Sequence, residues 1–280
     1  MIDPIIFTIH IGSFQLALHW YGIIVVGAVM ISAWLASLDL KRRGGNPEWI
    51  WDMLPWILLA GVFGARLWYV ANNIAGGGTR YLENPINIIN IPEGGLHIFG
   101  GFVFGGFAFW LYARMKKIDI WLLLDSLAPY LLLGQALARP ANFINQELYG
   151  PPTTLAWGIP IDAAHRLPML SDMTLYPEAT THFHPTFAYE MLWNFAAAGL
   201  LIWLAHKFEK QLRPGAIFFG WLVLAGIGRA IVETWRPDQP ILPYMGISTS
   251  RLVSLLMALV GVVLLLRRYD VFHLPFERKK

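Results

Sequence analysis

Seven times along this chain an apolar run recurs that is long enough to cross the hydrocarbon core of a bilayer, which takes about 20 residues as a helix. The runs lie near Trp20–Leu38, Trp51–Val70, Leu96–Ala113, Ile120–Leu137, Phe187–Ala205, Ala216–Val232 and Ile247–Leu266. In lipid, every backbone N–H and C=O must be satisfied without water, and at these lengths the helix is the structure that does so. A hydrophobic content of 56% with only 14% charged residues fits the same solvent, because soluble domains carry roughly 25% charged residues. The sequence thus predicts an all-α polytopic membrane protein of about seven transmembrane helices, one integral membrane domain over residues 1–280.

The basic residues set the expected orientation. The first run ends at Lys41-Arg42-Arg43, the third at Arg114, Lys116 and Lys117, the fifth at Lys207, Lys210 and Arg213, and the last at Arg267, Arg268 and the tail Arg278-Lys279-Lys280. Every lysine falls in these four segments, so they are expected inside, with the N-terminus out and the C-terminus in. Residues 1–18 lack a basic n-region and a small-residue cleavage site, so the first run reads as a retained span. Residues 72–95, rich in Asn, Gly and Pro, read as an outer loop, and residues 140–185 as a small extracytoplasmic head, too long for a plain connector. Arg66, Arg80, Arg139, Arg166, Arg229, Arg236 and Arg251 remain in spans or outer segments, against the positive-inside tendency. The planar fork of Arg suits a phosphate.

Several chemistries are excluded. Without Cys there is no disulfide, no thiolate nucleophile and no thiolate metal site, so any thiol chemistry uses a substrate's thiol. No G-x-S-x-G elbow, P-loop, dinucleotide fingerprint or HExxH occurs, and His165 and His182 have no metal-ligand spacing, so neither metal nor cofactor is expected. Basic residues do not interleave with aromatics in a soluble patch, which disfavours nucleic acid.

Two polar constellations interrupt the apolar pattern. In the stretch from Ala138 to Gly150, Arg139, Asn142, Asn145 and Glu147 arrive together at the end of a span, with Pro140 expected to end the helix beside Arg139. An ionisable group in hydrocarbon costs roughly 2.5–3.5 kcal/mol on insertion scales, so it needs a partner or a purpose. The stretch is either a polar plug joining a helix to the head or one wall of an anion site. Arg229 and Glu233, four residues apart, share a helical face that Arg236 extends. They are an intrahelical ion pair or, with the other arginines, part of a site for a phospholipid headgroup. At His19-Trp20-Tyr21-Gly22 an aromatic belt is the plain reading, and the Tyr21 hydroxyl is placed to donate to a phosphate. His97 and His184 read as interfacial polar tips or as bases.

These residues resemble the bacterial prolipoprotein diacylglyceryl transferases. The family signature G-R-x-[GA]-N-F-[aliphatic]-N-x-E-x-x-G is met at Arg139, Ala141, Asn142, Phe143, Ile144, Asn145, Glu147 and Gly150, with Ala138 where Gly is usual. The similarity extends to His19–Gly22, to Gly64-Ala65-Arg66 with Tyr69, to His184-Pro185 with Tyr189-Glu190, and to Arg229 with Ile231-Val232-Glu233 and Arg236-Pro237-Asp238. The resemblance implies a seven-span protein of the bacterial cytoplasmic (inner) membrane with an outward-facing active site. It implies transfer of the diacylglyceryl group of phosphatidylglycerol to the lipobox Cys thiol of a preprolipoprotein, forming a thioether and releasing glycerol 1-phosphate. Arg139, Arg229, Glu147 and His97 are then the catalytic candidates, and Tyr21, Arg66, Arg139, Asn142, Asn145, Gly150, Arg229, Glu233 and Arg236 the phosphatidylglycerol-binding ones. Two departures stand out. Where many relatives carry His-Gly-Gly, Phe99 precedes Gly100-Gly101 and the nearest histidine is His97, about 200° away if the segment is helical. Ala225 stands where relatives often carry Tyr. The rival readings are a lipid or solute transporter, against which stand the odd span count and the lack of an internal repeat, and an inactive family member.

Overall fold

The computed structural model describes residues 2–11, 14–91 and 94–271, so the basic tail Arg278-Lys279-Lys280 lies outside the described residues. Seven helices are long and apolar enough to cross a membrane: α1 (Trp20–Arg42), α2 (Glu48–Ala75), α4 (Ile98–Met115), α5 (Ile120–Ile144), α6 (Thr186–Lys207), α7 (Ala216–Val232, prolonged by a 3-10 turn to Trp235) and α8 (Thr249–Arg268). A single turn, α3 (Arg80–Glu83), precedes α4. Large apolar side chains such as Leu59, Phe102 and Leu192 are more than half exposed, as suits helices whose outer faces meet hydrocarbon rather than water.

Two small antiparallel sheets add to the helices. The β-branched run Ile5–Ile11 (β1) pairs with Phe14–His19 (β2), and the Trp20 N–H donates to the Pro4 carbonyl, fixing the hairpin at the start of α1. Pro152–Thr153 (β3) pairs with His182–Phe183 (β4).

The chain divides into two compact units, residues 1–35 with 127–280, and residues 36–126. In the smaller unit α2 packs on α4 through glycines. A Cβ on Gly100 would lie 2.1 Å from the Gly64 carbonyl, so the two backbones touch where any side chain would separate them. The basic end of α1 is neutralised locally, since Arg42 and Arg43 both pair with buried Asp39 at 2.8 and 2.7 Å. In the larger unit Ala128 and Leu132 of α5, Ala197, Ala198 and Leu201 of α6, and Ile217 of α7 form a close-packed core of small and aliphatic side chains.

Pro140 does not end α5. The helix continues to Ile144, with Pro129 and Pro140 inside it. A proline deprives the preceding turn of one hydrogen bond, which a packed membrane helix tolerates. The extra turn places Arg139 and Asn142 on one face. The helix is then closed by backbone bonds from Asn145 to Ala141 and from Glu147 to Asn142, both 3.0 Å. Gln146 and Leu148 follow with φ of 52° and 56°, a left-handed conformation costing on the order of 1 kcal/mol each that turns the chain sharply into the next segment. That segment has its own core of Tyr149, Ile161, Leu170 and Phe183. Arg166, one of the unexplained arginines, is spent there: it lies over the Phe183 ring and donates to the carbonyls of Ile161 and Tyr176. Burial pushes the Tyr149 phenol up; its oxygen accepts from the Leu167 N–H.

Candidate functional site

Charged side chains from α5, α6 and α7 meet in the larger unit. Arg139 of α5 donates through Nη1 to Asn142 Oδ1 at 3.2 Å and through Nη2 to Glu190 Oε1 of α6. The other Glu190 oxygen faces Arg229 Nη1 of α7 at 3.6 Å. One carboxylate thus stands between two guanidinium groups from different helices. Arg229 also approaches Glu233 Oε2 at 2.8 Å, an ion contact outside hydrogen-bond geometry, and its Nε donates to Ser250 Oγ at 3.3 Å.

Both arginines are held at their flanks. Asn142 passes the Arg139 contact on, its Nδ2 donating to Glu147 Oε1 at 2.7 Å. Glu233 is fixed by Ser248, whose hydroxyl donates to Oε1 at 2.7 Å while accepting the Arg251 N–H as the N-cap of α8. The Glu233 side chain is only 2% exposed, whereas Arg139 and Arg229 keep 18% and 27% of their side-chain surface open. Arg139 Nε is buried and has no hydrogen-bond partner among the described residues. A buried unpaired donor on a cation is costly unless an acceptor from outside the chain completes it. The site can therefore accept an anion: fixed guanidinium groups that keep part of their surface exposed, an unpartnered N–H, and low-dielectric surroundings in which charge interactions are strong.

Five predicted residues, Arg139, Asn142, Glu147, Arg229 and Glu233, are joined in this one network. The other predictions are placed differently. Asn145 closes α5 through its backbone. Gly150 sits where a Cβ would lie 2.7 Å from the Trp235 carbonyl and 2.8 Å from Thr186 Cγ2, and its N–H donates to the His184 carbonyl at 2.8 Å. It is a point of close backbone approach between the end of α7, the start of α6 and the chain leaving α5. Arg236 leaves the helical stripe and pairs with Asp238, Nη2 to Oδ2 at 2.7 Å. Burial alone would raise the Asp238 carboxyl, but the hydrogen bonds and charge of Arg236 outweigh it and hold the group below the ordinary carboxylate range. Tyr21 lies in the first turn of α1 with 41% of its surface exposed, and no hydrogen bond joins it to this network among the described residues.

Arg66 and His97 belong to the smaller unit. Arg66 is buried, and its guanidinium donates to five backbone carbonyls, those of Asn87, Ile88, Asn90, Gly94 and Gly95, with the rings of Tyr69 and Tyr81 against it. All five of its N–H donors have acceptors, and the residue organises the loop before α4. His97 is the N-cap of α4 in extended conformation, outside the helix, so the helical rotation between positions 97 and 99 does not apply. Its ring makes stacked contacts with those of Trp68 and Phe99, and its Nδ1 is buried without a hydrogen-bond partner among the described residues.

Three members of the network carried no assigned role in the sequence. Glu190 was visible only as an acid at the start of an apolar run, within the His184-Pro185 and Tyr189-Glu190 similarity. Ser248 and Ser250 give no signal beyond that of an ordinary helix start. Beside the network, on adjoining faces of α6 and α7, a cavity of about 360 Å³ is lined by Trp157, His184, Tyr189, Trp193, Gly228 and Trp235 among others. The Tyr189 hydroxyl there accepts from Trp157 Nε1 at 2.9 Å and lies 3.0 Å from His184 Nδ1.

The comparisons with known proteins agree over nearly the whole length. The family described as prolipoprotein diacylglyceryl transferase matches residues 4–267. A phosphatidylglycerol–prolipoprotein diacylglyceryl transferase of Chloroflexus aggregans is 34% identical, covering 96% of this chain and 92% of that one. Enzymes of the same name from Enterococcus faecalis and Thermosynechococcus vestitus are each 34% identical, over 95% and 97% of this chain and 92% and 93% of their own. A match of this extent places the chain in the prolipoprotein diacylglyceryl transferase family.

Proposed function

We propose that this protein transfers the diacylglyceryl group of phosphatidylglycerol to the lipobox Cys thiol of a preprolipoprotein. The sulfur forms a bond to the glyceryl carbon that bears the phosphate, the carbon–oxygen bond to that phosphate breaks, the thiol gives up its proton, and glycerol 1-phosphate leaves. The observation that carries this reading is the pair of arginines from α5 and α7 around one carboxylate, with Arg139 Nε unpartnered. Arg139 and Arg229 hold the phosphate and stabilise the charge that gathers on it as the bond breaks. Asn142 and Glu147 orient Arg139, and Glu233 with Ser248 orients Arg229. Gly150 and Asn145 serve by shaping the backbone at the end of α5.

The chain has no Cys, so the nucleophile is the substrate's. A thiol with an ordinary pKa near 8.5 is already partly ionised at neutral pH, and an arginine cluster lowers that value further, so a strong dedicated base is not required. The resemblance adds Tyr21, Arg236, Arg66 and His97 as further candidates. The Lys and Arg distribution supports an outward N-terminus, an inward C-terminus and a site facing the extracytoplasmic side of the bacterial cytoplasmic membrane, with residues 140–185 as the head there. The test is product analysis. Purified protein, phosphatidylglycerol vesicles and a lipobox peptide are expected to yield a peptide heavier by one diacylglyceryl group; an unmodified peptide with folded protein refutes the reading.

A further inference from the structure

Glu190 differs from the other two carboxylates of the network in what holds it. Glu233 is fixed by the Ser248 hydroxyl and Glu147 by the Asn142 amide, whereas the only hydrogen-bond donor to Glu190 among the described residues is Arg139. Its contact with Arg229, at 3.6 Å, is an ion contact beyond hydrogen-bond length. Three carboxylates against two guanidinium groups leave the network net negative when all are ionised, so a lipid phosphate arriving between the arginines meets a like charge already there. Neither Glu233 nor Glu147 can yield without breaking a bond to a fixed neutral partner. Glu190 can.

We propose that Glu190 is the resident anion of the two-arginine site: it holds Arg139 and Arg229 in position until a phosphate displaces it, and it competes the phosphate product off afterwards. This rests on the function proposed above and deepens it. The competition matters for release. A phosphate monoester carries about −1.5 to −2 charges at neutral pH, more than the single charge of the lipid's diester, so the product would otherwise bind the arginines more tightly than the substrate does.

The experiment compares wild type with Glu190→Gln, which keeps shape and an acceptor oxygen but loses the charge, and with Glu190→Asp, which retracts the charge by one methylene. Binding of glycerol 1-phosphate to the full chain in nanodiscs is measured by calorimetry, and turnover is measured separately. Glu190→Gln is expected to bind glycerol 1-phosphate on the order of tenfold tighter, with steady-state turnover slower than its own first turnover as release becomes limiting. Glu190→Asp is expected to bind it a few-fold tighter, and this decides the matter if the Gln variant does not fold. Unchanged or weaker binding in a folded variant overturns the proposal, because a merely structural carboxylate would give that result. Absence of thioether product from wild type would instead count against the function itself, and the binding comparison would stand apart from it.

Discussion

Replacing Arg139 by Lys isolates the fork from the charge. The guanidinium spreads its donors over Asn142, Glu190 and a third direction at Nε, where no acceptor waits among the described residues. An ammonium is a point donor that can keep the Glu190 ion pair but cannot also reach Asn142 and present a second N–H to phosphate. Losing one charge-assisted hydrogen bond costs about 1.5–3 kcal/mol. At about 1.4 kcal/mol per tenfold in rate, kcat/KM for phosphatidylglycerol should fall roughly 10- to 150-fold. The buried carboxylate keeps a cation beside it, so thermal unfolding in detergent should shift by only a few degrees. The assay is peptide lipidation followed by mass spectrometry across a series of lipid concentrations. A variant within twofold of wild type would show that the fork geometry of Arg139 does not act on the phosphate.

Other perturbations separate positioning from contact. Arg139→Ala and Arg229→Ala should each abolish lipidation, while His97→Ala should retain substantial activity; loss in the histidine variant would make His97 the proton acceptor. Ser248→Ala removes both the α8 N-cap and the donor to Glu233, and should lower stability by about 1–2 kcal/mol, read as the unfolding midpoint. Gly150→Ala forces a methyl to 2.7 Å from the Trp235 carbonyl and should cost about 1–3 kcal/mol, read in the same way. Asp238, whose folded-state carboxyl lies below its ordinary range, contributes stability that is full above about pH 4 and lost as pH falls through the depressed value. Asp238→Asn should flatten that acid limb of a stability–pH curve.

The seven spans were legible because bilayer thickness and backbone satisfaction leave a 20-residue apolar run few alternatives. Arg229 and Glu233 were legible as a pair because the helical period puts them on one face. Pro140 misled, since its local cost is real but smaller than what packing around α5 returns, and the extra turn it permits is what brings Asn142 onto Arg139. Arg66 and Arg166 looked, in sequence, like the other outward arginines. What separates them is backbone carbonyls, 21–29 residues away in sequence for Arg66 and 5–10 for Arg166, that no spacing rule counts. Glu190 was hidden for a related reason: an acid near a helix start is common, and its importance lies in two arginines that come from other helices. The β1–β2 hairpin was passed over because a search for spans gives little weight to a seven-residue β-branched run.

The central claim is that Arg139 and Arg229 together hold the lipid phosphate. A structure determined with bound phosphatidylglycerol tests it directly. The account predicts phosphate oxygens within about 3 Å of guanidinium nitrogens of both residues, one of them at Arg139 Nε, with the Glu190 carboxylate moved aside. A phosphate held elsewhere, with Glu190 still bridging the two arginines, would contradict it.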